Sequence, residues 1–209
     1  MSGRRTTSRR GLALVELLLG ITITSIIGLA IATVLISVAT GMTHSREARS
    51  ALQRAFAAHS RLQAYFDPGL CILDEQPKTG FAIWLHDGRA NGMVNLLELR
   101  VFHFNIAEQT IDVEWVAFPE EWDEASITAA DVLVPTGSDY FQVIAAQRAL
   151  GYTESVTLAD EIGDVAMSYD TVSVTDAERF RVTLTLMLNE EDSNDVLFAL
   201  GLPNHLLPG

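Results

Sequence analysis

The 209-residue chain has one cysteine, Cys71, so no internal disulfide can form. No formally charged side chain occurs from Leu17 to Ser45, and no acid occurs among residues 1–10. The patterns H-E-x-x-H, G-x-S-x-G and the phosphate-cradling P-loop are all missing, which removes the chemistries those spacings serve. The five histidines, His44, His59, His86, His103 and His205, fall into no metal-ligand spacing. No internal repeat is found, which excludes a solenoid.

What is present is distributed unevenly. Arg4, Arg5, Arg9 and Arg10 stand at the start, the neutral apolar stretch follows, and the rest is acidic. Without the four leading arginines, 10 basic residues face 27 acids, a net charge of −17. That sign argues against nucleic acid or anionic lipid as a partner of the C-terminal part. Leu17–Met42 is 26 residues without charge, longer than the ~20 a bilayer-spanning helix needs. Its many β-branched residues do not prevent a helix there, because in lipid the backbone must satisfy itself internally. The leading arginines favour a cytoplasmic N-terminus, although Arg46, Arg49, Arg54 and Arg61 follow the span and weaken that asymmetry.

Glu16 is the only charged side chain between Arg10 and Arg46. A carboxylate at that depth costs roughly 2.5–3.5 kcal/mol on insertion scales, so a passive anchor gains nothing from it. A cleaved secretory signal, cut after Ser37-Val38-Ala39, and a plain signal anchor both leave Glu16 unexplained; a snorkelling carboxylate near the interface is the simplest structural account. Arg9-Arg10-Gly11 followed by Leu12-Ala13-Leu14-Val15-Glu16-Leu17-Leu18 resembles the class III signal of type IV prepilins and type II secretion pseudopilins. The match covers roughly residues 4–45 and joins a basic leader, a glycine before the cut, an apolar run and a glutamate fifth after it. Leu12 departs from the Phe or Met that family members most often carry at that position.

The resemblance implies that prepilin peptidase removes residues 1–11 by cutting after Gly11 and methylates Leu12. Cutting creates an α-amine with a reference pKa near 8, and a buried carboxylate needs a partner. Residues 12 and 16 are one helical turn apart, so Glu16 can meet its own amine or a neighbour's. The resemblance implies the neighbour's, which makes Glu16 an assembly residue. It also implies a single-pass inner-membrane subunit with a periplasmic head, drawn into a filament. Its partners would be other pilins or pseudopilins, an inner-membrane assembly platform and membrane lipid, and it would need no catalytic residue and no cofactor.

Beyond the span, Ala48, Leu52, Ala55, Phe56, His59, Leu62, Tyr65 and Phe66 recur at spacings of three and four, against Arg49, Gln53, Ser60 and Arg61. That predicts an amphipathic extension over 43–66, stopped by Pro68-Gly69. One helix over 12–66 would be about 80 Å long. Its second half should pack under the head, with the arginines on a solvated face.

Residues 70–209 read as α+β with antiparallel strands. Strands are expected at Phe81–Leu85, Leu97–Phe104, Thr110–Phe118, Gly163–Thr171 and Phe180–Leu188. Hairpins should form across 105–109 and 172–178, and a helix over Ser138–Leu150 should end at Gly151. In Phe180–Leu188, Phe180, Val182, Leu184, Leu186 and Leu188 should face inward. In Thr110–Phe118, Ile111, Val113, Trp115 and Ala117 should. A long N-terminal helix on an antiparallel sheet is the pilin-like fold that the resemblance implies. The size of the head is similar to that of minor pilins or J-like minor pseudopilins, and Glu16 argues against the K-like tip subunit.

Other candidate chemistry reads as structural. Cys71 beside His86 or His103 would be a nucleophile, but a semi-buried thiol is the simpler reading. The acidic runs Glu120-Glu121-Asp123-Glu124 and Glu190-Glu191-Asp192-Asp195 offer the oxygen ligands calcium takes, without the EF-hand order, and read as solvated loops. Asp87-Gly88 and Asn91-Gly92 signal turns. The expected function is thus a structural filament subunit. The alternative is a membrane-anchored periplasmic enzyme or ligand-binding protein carrying a similar leader.

Overall fold

A computed structural model describes residues 10–187 and 193–209, except for the side chains of residues 10–14, 43–45 and 47. Most of the expected leader, together with Leu188 and Glu190–Asp192, lies outside the described residues. The protein is α+β, with one long apolar N-terminal helix and two antiparallel sheets. It divides into two units, residues 1–49 and 50–209.

Helix α1 covers Arg10–Phe66. In the first unit the side chains from Val15 to Met42 are all exposed. The threonines fit this apolar setting because they satisfy themselves. The Thr22 hydroxyl donates to the Leu18 carbonyl at 2.7 Å and Thr24 to that of Gly20 at 2.9 Å. Thr33 and Thr40 likewise bond back into the preceding turn, so these four hydroxyls need no water.

The second unit begins with the last turns of α1. The helix ends where expected: the Gly69 amide bonds the Phe66 carbonyl at 3.1 Å, and Pro68 cannot donate a helical bond. Strands β1 (Cys71–Gln76), β2 (Gly80–Trp84), β3 (Leu99–Asn105), β4 (Thr110–Val116) and β5 (Thr153–Ala159) form one sheet in that order. Strands β6 (Ile162–Tyr169), β7 (Arg179–Met187) and β8 (Ser193–Gly201) form a second. Helices α2 (Glu124–Ala130) and α3 (Tyr140–Ala149) lie between β4 and β5 in the chain. Both expected hairpins are present, β3 with β4 and β6 with β7. The helix before Gly151 is also present, and Gly151 has φ +78°.

Several expectations need correction. Leu96–Glu98 is a 3-10 turn, so β3 starts two residues later than its pattern suggests. The antiparallel strands form two sheets rather than one. Strands β1, β5 and β8 and helix α2 were not anticipated. In β1, Cys71, Ile72 and Leu73 are buried in succession, without the alternation that marks a half-buried strand. The five-stranded sheet explains this, because both of its faces are covered. Phe81, Ile83, Phe102, Ile111 and Val113 join one core with Ala51, Ala55, Ala58, Leu62 and Phe66 of α1. Ala82, Trp84, Leu99, Val101 and Val116 join a second core with Tyr140 and Ile144 of α3. In β4, therefore, Ile111 and Val113 are buried as expected, Trp115 is only half-buried, as is Ala117 just past the strand, and Val116 is buried on the other face.

The inward residues Phe180, Val182, Leu184 and Leu186 of β7 enter the first core with Phe198 and Leu200 of β8. Its centre is aromatic: Phe81 stacks on Phe102 at 4.4 Å, and Phe66 meets Phe180 at 4.5 Å. Burying one such side chain contributes about 1.5–3 kcal/mol. The stripe that α1 presents to this core is the expected one at Ala55, Leu62 and Phe66 but departs from it at Leu52 and Phe56, which are 52% and 68% exposed, while Ala51 and Ala58 join the contact. Small side chains let the helix backbone approach the sheets at core packing density, which larger ones at the same positions would prevent.

Arg61, expected on a solvated face, donates to the Leu158 carbonyl of β5 at 2.6 Å. Arg54, one of the arginines after the span, donates to the Met187 carbonyl of β7 at 3.1 Å and pairs with Glu161.

Candidate functional site

The sequence singles out Gly11, Leu12 and Glu16. All three lie in helix α1, and the side chains of Gly11 and Leu12 are not described. Glu16 is exposed and has no hydrogen-bond or ion-pair partner among the described residues. It sits within Val15–Met42, a helical stretch long and apolar enough, by length and composition, to cross a membrane. Helical spacing puts Leu12 and Glu16 one turn apart on one side of the helix. The glycines in this stretch serve no packing within the chain: a Cβ on Gly20, Gly28 or Gly41 would meet nothing within 4 Å.

In the head, four polar residues are buried among the described ones: Asn95, Glu98, Glu114 and Asp131. Glu98 anchors the loop between β2 and β3. Its Oε2 accepts from Trp84 Nε1 at 3.0 Å and from the Asn95 amide at 3.0 Å. Its Oε1 accepts from the Gly88 amide at 2.7 Å and the Arg89 amide at 3.3 Å. A buried carboxylate with both oxygens held by fixed donors is a staple, in which the hydrogen bonds offset the desolvation cost. Asp131 extends it, accepting from Arg89 Nε at 2.8 Å and the Leu97 amide at 2.9 Å. The spacing Asn95-x-x-Glu98, which matches that of a capping box, was the available sequence signal. Asp87, read as a turn residue, accepts from the Asn91 and Gly92 amides at 3.0 and 2.9 Å, and Gly92 has φ +69°.

Glu114 forms the second buried centre. It lies on β4, with His103 Nε2 of β3 at 3.1 Å from Oε2 and Arg148 Nε of α3 at 2.8 Å from Oε1. The Arg148 Nη2 atom also bonds Oε2, making the contact two-pronged. Burial would raise the Glu114 carboxyl, but the Arg148 hydrogen bond, helped by Thr153 and by the charges of Arg148 and His103, holds it below its ordinary value. Burial pushes His103 down, against the opposing pull of Glu114. No local pattern announces this trio, because Arg148 is brought in by α3 across 34 residues of sequence.

Cys71 is fully buried rather than half-exposed, and burial pushes its thiol up to about 12. A thiol held protonated in an apolar core is unreactive. Asp123 of the first acidic run caps α2, accepting from the Ser126 amide at 2.7 Å, while Glu120, Glu121 and Glu124 are exposed. Glu190, Glu191 and Asp192 of the second run lie outside the described residues, whereas Asp195, expected in a loop, is part of β8 and accepts from the Thr185 hydroxyl at 2.7 Å. Among the described residues no group of three or more His, Cys, Asp or Glu is placed to hold a metal ion. No protein-family model matches the chain, and no curated protein matches it.

Proposed function

We propose that the protein is a structural subunit of a type IV pilus or type II secretion filament, a minor pilin or pseudopilin. Prepilin peptidase cuts it after Gly11 and methylates Leu12. The subunit waits in the inner membrane with its head in the periplasm, and an assembly platform draws it into a filament with other such subunits. Glu16 then pairs with the Leu12 amine of a neighbour. Uncut chains lack that amine, so processing and assembly are coupled.

One observation supports this reading above others: a single exposed, unpaired carboxylate stands at the start of a helical span that is otherwise apolar all round. It lies five residues beyond a glycine that follows a basic leader. A charge in that place is costly in lipid unless another group neutralises it. Mass spectrometry of the mature N-terminus tests the processing step. The expected product starts at methylated Leu12. An intact leader, or a product cut after Ala39, overturns the reading. Glu16→Val should leave insertion and cleavage intact and abolish incorporation into filaments.

A further inference from the structure

The outward face of the three-stranded sheet carries a cleft of about 590 Å³ beside two arginines. Arg179 and Arg181 are alternate residues of β7, roughly 7 Å apart along the strand. Opposite them in the register stand Gly201 and Ala199 of β8, and Ser168 of β6 faces Arg181. Arg181 thus has a small neighbour on each side, while Arg179 lies between Gly201 and Asp170, whose amide bonds the Arg179 carbonyl at 3.2 Å. Both arginines are exposed, and neither has an ion-pair or hydrogen-bond partner for its side chain among the described residues. Asp170 also lines the cleft, without pairing with either. The other arginines of the sheet-bearing part behave differently. Arg54, Arg61, Arg89, Arg100 and Arg148 are all held by carboxylates or carbonyl oxygens.

An acidic chain that leaves two adjacent guanidinium groups unpaired presents a carboxylate-binding surface. The same chain supplies a matching element. Glu120 and Glu121 are exposed in the loop after β4 and Glu124 in the first turn of α2, and this segment is fixed in shape. Trp122 stacks on Phe118 at 5.3 Å and meets Tyr152 edge-on at 5.3 Å, while Asp123 is locked to the Ser126 amide. Pre-ordering of this kind lowers the entropic cost of docking. Within one molecule no ion pair joins the loop to Arg179 or Arg181.

We propose that the Arg179–Arg181 cleft of one head receives the Glu120–Glu124 loop of a second copy of this chain. The two surfaces differ, so the contact is heterologous; repeated from copy to copy, it builds a ring or an open filament rather than a closed pair. It deepens the assembly reading by adding a head-to-head contact to the one at Glu16, and rests on that reading for its setting.

The test is cross-linking of the full chain in membranes. Two variants, Ala199→Cys beside the cleft and Ala125→Cys beside the acidic loop, are co-expressed and treated with a short bis-maleimide. Cys71 is buried and gives no background. The expected product is a dimer whose cross-linked peptide joins positions 199 and 125. Arg179→Glu with Arg181→Glu in the Ala199→Cys chain should abolish it, and Glu120→Arg with Glu121→Arg in the Ala125→Cys chain should restore it. The proposal falls if the yield is no higher than for Ala199→Cys with Ala107→Cys. It also falls if charge reversal leaves the product unchanged, if the swapped charges fail to restore it, or if position 199 links only to a protein of different mass. The mature N-terminus of the same sample is read separately, so failure of processing and failure of the head contact are told apart.

Discussion

Residues 15–42 and residues 50–66 share one helix and obey opposite packing rules. In the first stretch large aliphatic side chains cover the whole circumference and every described side chain is exposed. In the second, the buried line consists of Ala51, Ala55, Ala58, Leu62 and Phe66, and two exposed large residues, Leu52 and Phe56, lie off it. A helix whose partner is lipid or an unspecified neighbour gains from apolar bulk in every direction. A helix whose partner is a finished pair of sheets gains from small residues at the contact and from arginines that reach strand carbonyls. The lesson is that hydrophobicity alone marks only the first kind of surface.

The largest expected effect that sharpens this contrast is Ala58→Arg. A charge forced into the core should destabilise the head by about 4 kcal/mol while leaving membrane insertion untouched. All three tryptophans, Trp84, Trp115 and Trp122, are in the head, so denaturant unfolding followed by their fluorescence reads that unit alone. Leu29→Arg should do the reverse: insertion is disfavoured by about 3 kcal/mol, seen as loss from the membrane fraction, and the fluorescence midpoint stays put. If both variants shift both readouts, the two stretches are not separable as described. Ala55→Leu, which adds the very hydrophobicity that the first stretch favours, should cost the head about 2 kcal/mol through overpacking.

A pH titration is a milder probe of the head. His103 is held below its ordinary 6.5, so the unfolded chain binds the proton more tightly and stability falls as pH drops below about 6.5 towards the folded value. Glu114 is held below its ordinary 4.5, so its contribution is intact above that value and is lost as pH falls through the folded one. Both slopes run the same way, and His103→Gln should erase only the first. A rise in stability on acidification through either window contradicts these assignments. The smallest effect belongs to Leu52→Ala, expected to change head stability by no more than about 0.5 kcal/mol in the same unfolding assay.

The parts of this fold that were legible in the sequence are those governed by local periodicity and local stop signals. The end of α1 at Phe66, the β3–β4 and β6–β7 hairpins and the Gly151 stop all follow from neighbouring residues. What escaped depends on two-sided burial or distant partners. In β1, three successive buried residues look like no strand pattern, because the sheet is covered on both faces. Strand β5 is mostly exposed along its first five residues and shows no apolar face to read. Leu52 and Phe56 looked like core because composition cannot say that alanine fits a close approach better. Glu114 looked like an outward residue, since nothing near it in sequence announces Arg148. The pattern formed by Gly11, Leu12 and Glu16 is wholly local, so it is read from neighbouring residues without any tertiary contact.

Arg54 and Arg61 lead to a mechanical consequence. One grips the last residue of β7, Met187, and the other the next-to-last residue of β5, Leu158, so a single helix segment holds a strand from each sheet. A pull along residues 50–66 therefore loads both sheets at once and in parallel. Several bonds must then shear together rather than open one after another, and the head should resist extraction by its helix as a single block.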